Sequence, residues 1–232
     1  MRKFVIGCLL LAASSLVSAS TTYTATGTAG GVTIDANAIF TFSANQLTLT
    51  LSDLLANPTS VAQNLSGFEF TIGTATGTLS TTAPPSAPST VSVSQGGNFV
   101  VTNSPVNPGW SFSSAGGVFT LNGLTGTQAP SYTIIGPPGG PKYSQAGPSI
   151  AGSGPFNGPG PNNPFINQTA TWVFDIPGVT SSTLATNVMF SFGTTPDQGD
   201  FEFTPEPSSL ILMGGGLGLL ALLRRRILSF IS

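Results

Sequence analysis

Few residues of this chain can carry out covalent chemistry. The sequence contains no histidine, and its single cysteine, Cys8, lies in an apolar N-terminal stretch. Ser-His and Cys-His nucleophile pairs are therefore excluded, and no imidazole is available to bind a metal. Two carboxylates, Glu69 and Asp175, remain as candidates for glycoside hydrolysis, which requires a pair facing each other about 5–10 Å apart. Because each alternates with aromatic residues, we expect both on the outer faces of strands, and we predict no catalytic residue and no enzyme.

The acidic cluster DQGDFE is the best metal candidate that the sequence offers. Its oxygen ligands, Asp197, Asp200 and Glu202, are of the type that Ca²⁺ prefers. Their spacing does not match an EF-hand loop, so a solvated turn is the favoured interpretation. We predict at most weak Ca²⁺ binding and no cofactor.

Aromatic residues provide an alternative function, that of a carbohydrate-binding module. Trp110, Tyr132 and Trp172 would have to form an exposed platform on which sugar rings stack. Exposure of these rings would favour sugar binding, and burial would favour a structural role.

Asn64 and Asn167 each begin an N-x-[ST] pattern, which is the acceptor pattern for N-linked glycosylation.

The most informative stretch is the C-terminal tail, TPEPSSLILMGGGLGLLALLRRR. Pro205, Glu206 and Pro207 form a stiff, extended tripeptide. An apolar run follows and predicts a transmembrane helix over 208–223. This helix would be about 24 Å long at about 1.5 Å per residue, which is short for a hydrocarbon core of about 30 Å.

Three consecutive arginines end the apolar run. They are Arg224, Arg225 and Arg226. Basic residues beside a spanning helix remain on the cytoplasmic side, so this cluster would stop transfer and fix the orientation of the helix.

This order of tripeptide, short apolar helix and arginine cluster resembles the PEP-CTERM sorting signal of Gram-negative bacteria. The resemblance rests on the tripeptide at 205–207 and the arginines at 224–226, and it covers about the last tenth of the chain. It implies that an exosortase, a membrane-embedded protease, processes the tail and that the inner membrane holds the precursor transiently. It also suggests an association with exopolysaccharide or biofilm material. A plain anchor that is never cut remains the alternative.

The N-terminus has the layout of a secretory signal peptide. Two basic residues precede an apolar run, and Val17-Ser18-Ala19 provides small residues for cleavage after Ala19. We therefore divide the chain into a signal peptide (1–19), an exported domain (20–203) and a sorting tail (204–232). The protein should pass through the inner membrane to the cell surface or the extracellular space.

The predicted exported domain has an acidic, sparsely charged composition. Between residues 20 and 203 there are seven acidic residues and one basic residue, Lys142, which gives a net charge of 1 − 7 = −6. Nucleic-acid binding requires clustered Lys and Arg, so we predict no nucleic-acid partner.

The hydrophobic pattern of this domain predicts an all-β fold. Phe40 and Phe42, then Leu47, Leu49 and Leu51, occupy alternate positions around a short turn, which predicts a hairpin. Similar alternation recurs at 65–72, 118–121, 170–176 and 187–192, whereas residues 21–31 give only a Thr/Ala/Gly lead-in. Many short strands with Gly, Pro and Asn turns predict a single β-sandwich or jelly-roll-like domain.

One segment, 136–164, breaks this pattern. It is rich in Gly and Pro and has no periodicity, which predicts an exposed, flexible insertion. Its scattered Tyr143, Ile150 and Phe156 are too few to offset the entropy of ordering it. Taken together, the sequence predicts a non-enzymatic, exosortase-sorted surface protein, with a carbohydrate-binding module as the alternative and a glycoside hydrolase ranked below it.

Overall fold

The computed structural model describes residues 20–125, 132–147, 149–150 and 164–194, together with the backbone of 201–203. These residues form strands joined by turns and two short 3₁₀ helices, Val61–Gln63 and Gln95–Gly97. The strands are β1 Ser20–Ala29, β2 Val32–Ser43, β3 Gln46–Asp53, β4 Leu65–Thr71, β5 Thr78–Leu79, β6 Thr90–Val93, β7 Phe99–Thr102, β8 Ser111–Ala115, β9 Val118–Asn122, β10 Ile134–Ile135, β11 Phe165–Asn167, β12 Thr169–Asp175, β13 Thr186–Phe192 and β14 Phe201–Phe203.

The first sheet has five strands in the order β1-β2-β3-β12-β5. Strands β2 and β3 form the predicted hairpin, with Phe42 opposite Leu47. Its turn contains Asn45 at φ 59°, a left-handed conformation that asparagine tolerates better than most residues. Strand β12 pairs antiparallel with β3 on one side and with the short edge strand β5 on the other.

The second sheet has nine strands, and its main path runs β14-β13-β4-β10-β11-β6-β7. Strand β9 pairs with β4 and carries β8 as a hairpin partner. Strands β6 and β7 form a hairpin around Gln95-Gly96-Gly97. One pair, β10 and β11, is parallel, with Ile134 opposite Ile166.

The core lies between the two sheets. Phe40 of the first sheet packs against Phe68 and Phe70 of the second, with ring centroids 5.9 and 5.1 Å apart. Leu49, Trp172, Phe190 and many neighbouring side chains are also fully buried in this cluster. Strand accounts for 51% of the structure and helix for 4%, so the all-β prediction is confirmed, and the two sheets pack as a sandwich. The predicted signal peptide and transmembrane helix lie outside the described residues.

The Thr/Ala/Gly lead-in at 21–31 is a strand, which the sequence analysis missed. Strand β1 pairs with β2 along ten residues. Its inward positions are Tyr23, Ala25 and Ala29, all buried. Two of these three side chains are so small that the alternation gives almost no hydrophobic signal.

Part of the Gly/Pro-rich segment also departs from its prediction. Tyr143 and Ile150 are 1% and 0% exposed and pack in a second, smaller core cluster with Phe165, Val91 and Ile135. The expectation that these side chains would find no packing partners is therefore wrong. The segment folds back onto β6, β10 and β11, so its few apolar residues share an existing core. Residues 148 and 151–163, including Phe156, lie outside the described residues.

We predict that Tyr143 anchors this segment. Its ring meets Phe99 edge to face at 5.5 Å, and its hydroxyl donates to the Gly136 carbonyl at 3.0 Å. Tyr143→Ala should lower the free energy of unfolding by about 3–5 kcal/mol, and Tyr143→Phe by about 1 kcal/mol. Guanidinium denaturation of the mature protein measures both. The exposed neighbour Lys142 provides the control, since Lys142→Ala should change little. Equal stability of Tyr143→Ala and the wild type would contradict the anchoring role.

Candidate functional site

The last strand of the domain leads directly into the predicted sorting tail. Strand β14 pairs antiparallel with β13, with Phe203 opposite Val188. Only Thr204 separates this strand from the tripeptide that begins at Pro205. The described residues therefore end where the sorting signal begins.

The predicted sorting and processing residues all lie outside the described residues, so their roles stay predictions. In the tail these residues are Pro205, Glu206, Pro207, Arg224, Arg225 and Arg226. At the other end of the chain, the predicted signal-peptide cleavage site at Ala19 is also outside. The structure thus describes the strands next to both predicted targeting segments but not the segments themselves.

The first and last strands lie beside each other. Strand β1 begins at Ser20, the residue after the predicted signal-peptide cleavage site, and it contacts β14. The hydroxyl of Tyr23 donates a short hydrogen bond to the carbonyl of Ala185, just before β13. The strands next to both targeting segments are therefore at one edge of the sandwich.

The two candidate catalytic carboxylates point away from each other. Glu69 lies on β4 between the buried Phe68 and Phe70, and it accepts a hydrogen bond from Thr120 at 2.9 Å. Asp175 ends β12 and accepts one from Gln46 at 3.2 Å. They lie on the outward faces of opposite sheets, and packed sheets alone are about 10 Å apart. These two residues do not form the facing pair that glycoside hydrolysis requires.

The acidic cluster at 197–202 lies almost entirely outside the described residues. Asp197 and Asp200 lie outside the described residues, and of Glu202 only the backbone is described, opposite Met189. Elsewhere in the described part of the chain there is no group of three or more acidic, histidine or cysteine side chains arranged to hold a metal ion.

The aromatic platform is not formed. Trp172 is fully buried and Trp110 is 6% exposed, with their ring centroids 5.1 Å apart. The Trp110 indole N–H donates to the carbonyl of Tyr132 at 2.7 Å, which fixes the ring against the core. Tyr132 is half-buried and packs against the same core. The burial of Trp110 and Trp172 favours a structural role for these rings over an exposed stacking surface.

The two glycosylation patterns differ in their accessibility. Asn64 is fully buried, and its amide donates to the Thr133 hydroxyl at 3.1 Å. A glycan cannot be attached there in the folded protein. Asn167 is half-buried and donates to Ser89 at 3.0 Å, so its nitrogen is also engaged.

A buried carboxyl group, Asp53, was missed as a structural site. Its side chain is fully buried at the end of β3, where Oδ1 accepts from the Leu55 N–H at 3.1 Å and Oδ2 from the Leu65 N–H at 3.4 Å. Burial raises the pKa of Asp53 well above its usual value, against the opposing effect of the backbone donors. The sequence does indicate that Asp53 is buried, since it continues the inward series of leucines in β3 that begins at Leu47.

The outward surface of the five-stranded sheet is an array of threonines, which we name the threonine face. Residues in register across the strands form rows, such as Thr22-Ile39-Thr50-Thr171 and Thr24-Asn37-Ser52-Thr169. The threonines of this face are Thr22, Thr24, Thr26, Thr28, Thr33, Thr41, Thr48, Thr50, Thr78, Thr169 and Thr171. The threonines of β3 alternate with its buried leucines, so the local pattern points them outward, but only the strand order brings the threonines of several strands together.

A cleft lined by both polar and apolar residues adjoins one end of the threonine face. It has a volume of about 630 Å³ and is lined by Asn45, Gln46, Thr78 and Asp175 among others. The turn at Asn45 is held in place, because its backbone N–H donates to the Val179 carbonyl at 2.9 Å and its side chain accepts from the Gly178 N–H at 2.8 Å. The cleft offers hydroxyl, amide and carboxylate groups, and no base lines it.

Comparison with known proteins identifies the tail. Residues 203–226 match the family described as the PEP-CTERM protein-sorting motif. The chain therefore carries this motif, as the sequence predicted, and the match implies an exported protein that exosortase, a membrane protein, processes on its way to the cell surface. No curated protein and no solved structure matches the chain. Among the described residues, no helix is sufficiently long and apolar to cross a membrane, and the predicted anchor at 208–223 lies outside them.

Proposed function

We propose that this chain is a non-enzymatic surface protein, which exosortase releases from the inner membrane and which associates with exopolysaccharide. The observation that carries the proposal is the sorting motif at 203–226, joined directly to a folded β domain. The tail would hold the precursor at the membrane while the domain folds outside. Cleavage near Pro205 would then free the domain for the cell surface.

Two features support a binding role rather than catalysis. Glu69 and Asp175 are on opposite outer faces, and the sequence contains no histidine. By contrast, one whole sheet face displays hydroxyl groups, and a cleft that offers hydroxyl, amide and carboxylate groups adjoins it. Such a surface suits contact with a hydrated matrix, where many weak hydrogen bonds act together.

Intact mass measurement of the mature protein from its native host tests the sorting mechanism. We expect a mass that corresponds to a chain beginning at Ser20 and lacking the arginines at 224–226. The host should be compared with the same strain lacking its exosortase, in which the C-terminus should remain at Ser232. An intact Ser232 in the exosortase-containing strain would show that the tail is a permanent anchor.

A further inference from the structure

We propose that the threonine face binds a neutral, hydroxyl-rich polysaccharide chain laid across the strands. This inference rests on the proposed function, because it assigns the matrix contact to a surface and specifies the charge of the ligand. Neighbouring strands are about 4.7–4.9 Å apart, and same-face residues on one strand are about 6.4–6.8 Å apart. The face therefore presents hydroxyl and methyl groups at regular intervals. Such an array can contact successive sugar units of a repeating polymer in the same way.

Four hydroxyl groups where β3 meets β12 on this face are held in place before any ligand arrives. Thr50 and Thr171 share a hydrogen bond of 3.0 Å between their hydroxyls, and the Ser52 hydroxyl donates to that of Thr169 at 3.2 Å. Thr169 in turn donates to the carbonyl of Leu51 at 3.0 Å. Each hydroxyl retains acceptor lone pairs after these bonds. Because β-branched side chains have restricted rotamers, ordering them on binding costs little entropy.

Charge selects a neutral polymer over an acidic one. The face carries two carboxylates, Asp35 and Asp175, and in the described part of the chain the only base is Lys142, which belongs to the Gly/Pro-rich segment and not to the strands of the face. An anionic polysaccharide would meet repulsion without a compensating cation. A sugar hydroxyl, in contrast, can donate to Asp175 and to the threonine oxygens at the cleft end.

The composition of the face does not suit a protein partner or a second copy of the chain. Protein interfaces have an apolar centre enriched in aromatic residues. The apolar side chains of the threonine face are Ile39 and Val173, and both are half-buried between polar neighbours. Desolvating the surrounding hydroxyls against an apolar partner would leave them unsatisfied.

Affinity electrophoresis tests this proposal with the full-length chain solubilised in a non-ionic detergent. Native gels are cast with hydroxyethyl cellulose or dextran as neutral probes and with carboxymethyl cellulose as the anionic probe. We expect retardation by a neutral probe and none by carboxymethyl cellulose. Thr24→Lys with Thr48→Lys should raise the dissociation constant at least about tenfold by placing bulk on the face. The control pair Thr102→Lys and Thr186→Lys, exposed on the other sheet, should bind like the wild type.

A second variant removes hydroxyls without adding bulk or charge. Thr24→Val with Thr48→Val and Thr50→Val keeps the branched shape and strand propensity, so it remains informative if the lysine pair fails to fold. It should also weaken binding. Equal binding by the valine variant and the wild type, or no retardation by any neutral probe, would overturn the proposal. Uptake into growing ice without polysaccharide binding would show that the array orders water instead, which would also overturn it. The assay does not depend on tail cleavage, so its outcome is separate from that of the intact mass measurement.

Discussion

Asp53→Ala is expected to lower the free energy of unfolding by about 1–3 kcal/mol, because it takes its acceptor from the buried N–H group of Leu65. The Leu55 N–H keeps a second acceptor, the Asp35 carbonyl at 3.2 Å. Leu55 follows β3 in the first sheet and Leu65 begins β4 in the second, so the carboxyl joins the two layers of the sandwich. Total stabilities of about 5–15 kcal/mol make this a large fraction. Guanidinium denaturation at pH 5 measures the loss. A loss below about 0.5 kcal/mol, as at an ordinary surface site, would contradict the bridging role.

The pH dependence provides a second measurement on the same residue. The folded pKa of Asp53 is raised above its unfolded value of 3.8, so its contribution to stability is complete below that pH and is lost as pH rises through the folded pKa. Asp53→Asn does not titrate. The stability of the wild type relative to Asp53→Asn should therefore fall as the pH is raised from 4 towards 8. The contributions of other ionisable groups are common to both proteins and cancel in this comparison. A relative stability of the wild type that stays constant or rises with pH would contradict a raised pKa.

Replacing Pro205, Glu206 and Pro207 together with alanine is expected to abolish processing in the native host. The two prolines keep this stretch extended, so a membrane protease can bind it as a strand without first unwinding a helix. Alanine at all three positions removes the backbone restriction of the two prolines and also the carboxylate of Glu206. We expect a full-length, membrane-bound form in cell fractions, with no shortened protein at the surface.

A matched control uses prolines that are outside the tail. Pro84→Ala with Pro85→Ala changes the same residue type in a surface loop and should leave processing as in the wild type. Deleting Arg224, Arg225 and Arg226 should instead impair retention and orientation, because basic residues fix which end stays in the cytoplasm. Normal release of the triple-alanine protein would show that the tripeptide is not the processing determinant.

The strands that sequence reasoning found are those with large inward side chains. The positions of Phe40, Phe42, Phe68, Phe70 and Phe190 alternate with polar residues, and all five are buried as expected. Strand β1 escaped notice because alanine and glycine give no comparable contrast. Its formation depends on pairing with β2, which supplies the hydrogen bonds and the large side chains.

The features that escaped prediction depend on contacts between distant segments. Tyr143 is buried because its segment reaches a small cluster built by β6, β10 and β11, and nothing local to its sequence indicates this. The threonine face likewise needs the order β1-β2-β3-β12, in which strands more than a hundred residues apart in sequence pair directly, as Thr50 and Thr171 do. Local periodicity predicts which way a side chain points. It does not predict which strand lies beside it.

The scarcity of basic residues has a practical consequence for detecting this protein. Between Ser20 and Leu223 the only lysine or arginine is Lys142, exposed beside the buried Tyr143. Trypsin would therefore cut the mature domain once and yield two fragments too long for routine peptide sequencing. Surveys of surface proteins based on tryptic peptides would pass over it even where it is abundant. The same property makes the domain a poor substrate for trypsin-like proteases of competing organisms, a form of resistance that depends on composition rather than on rigidity.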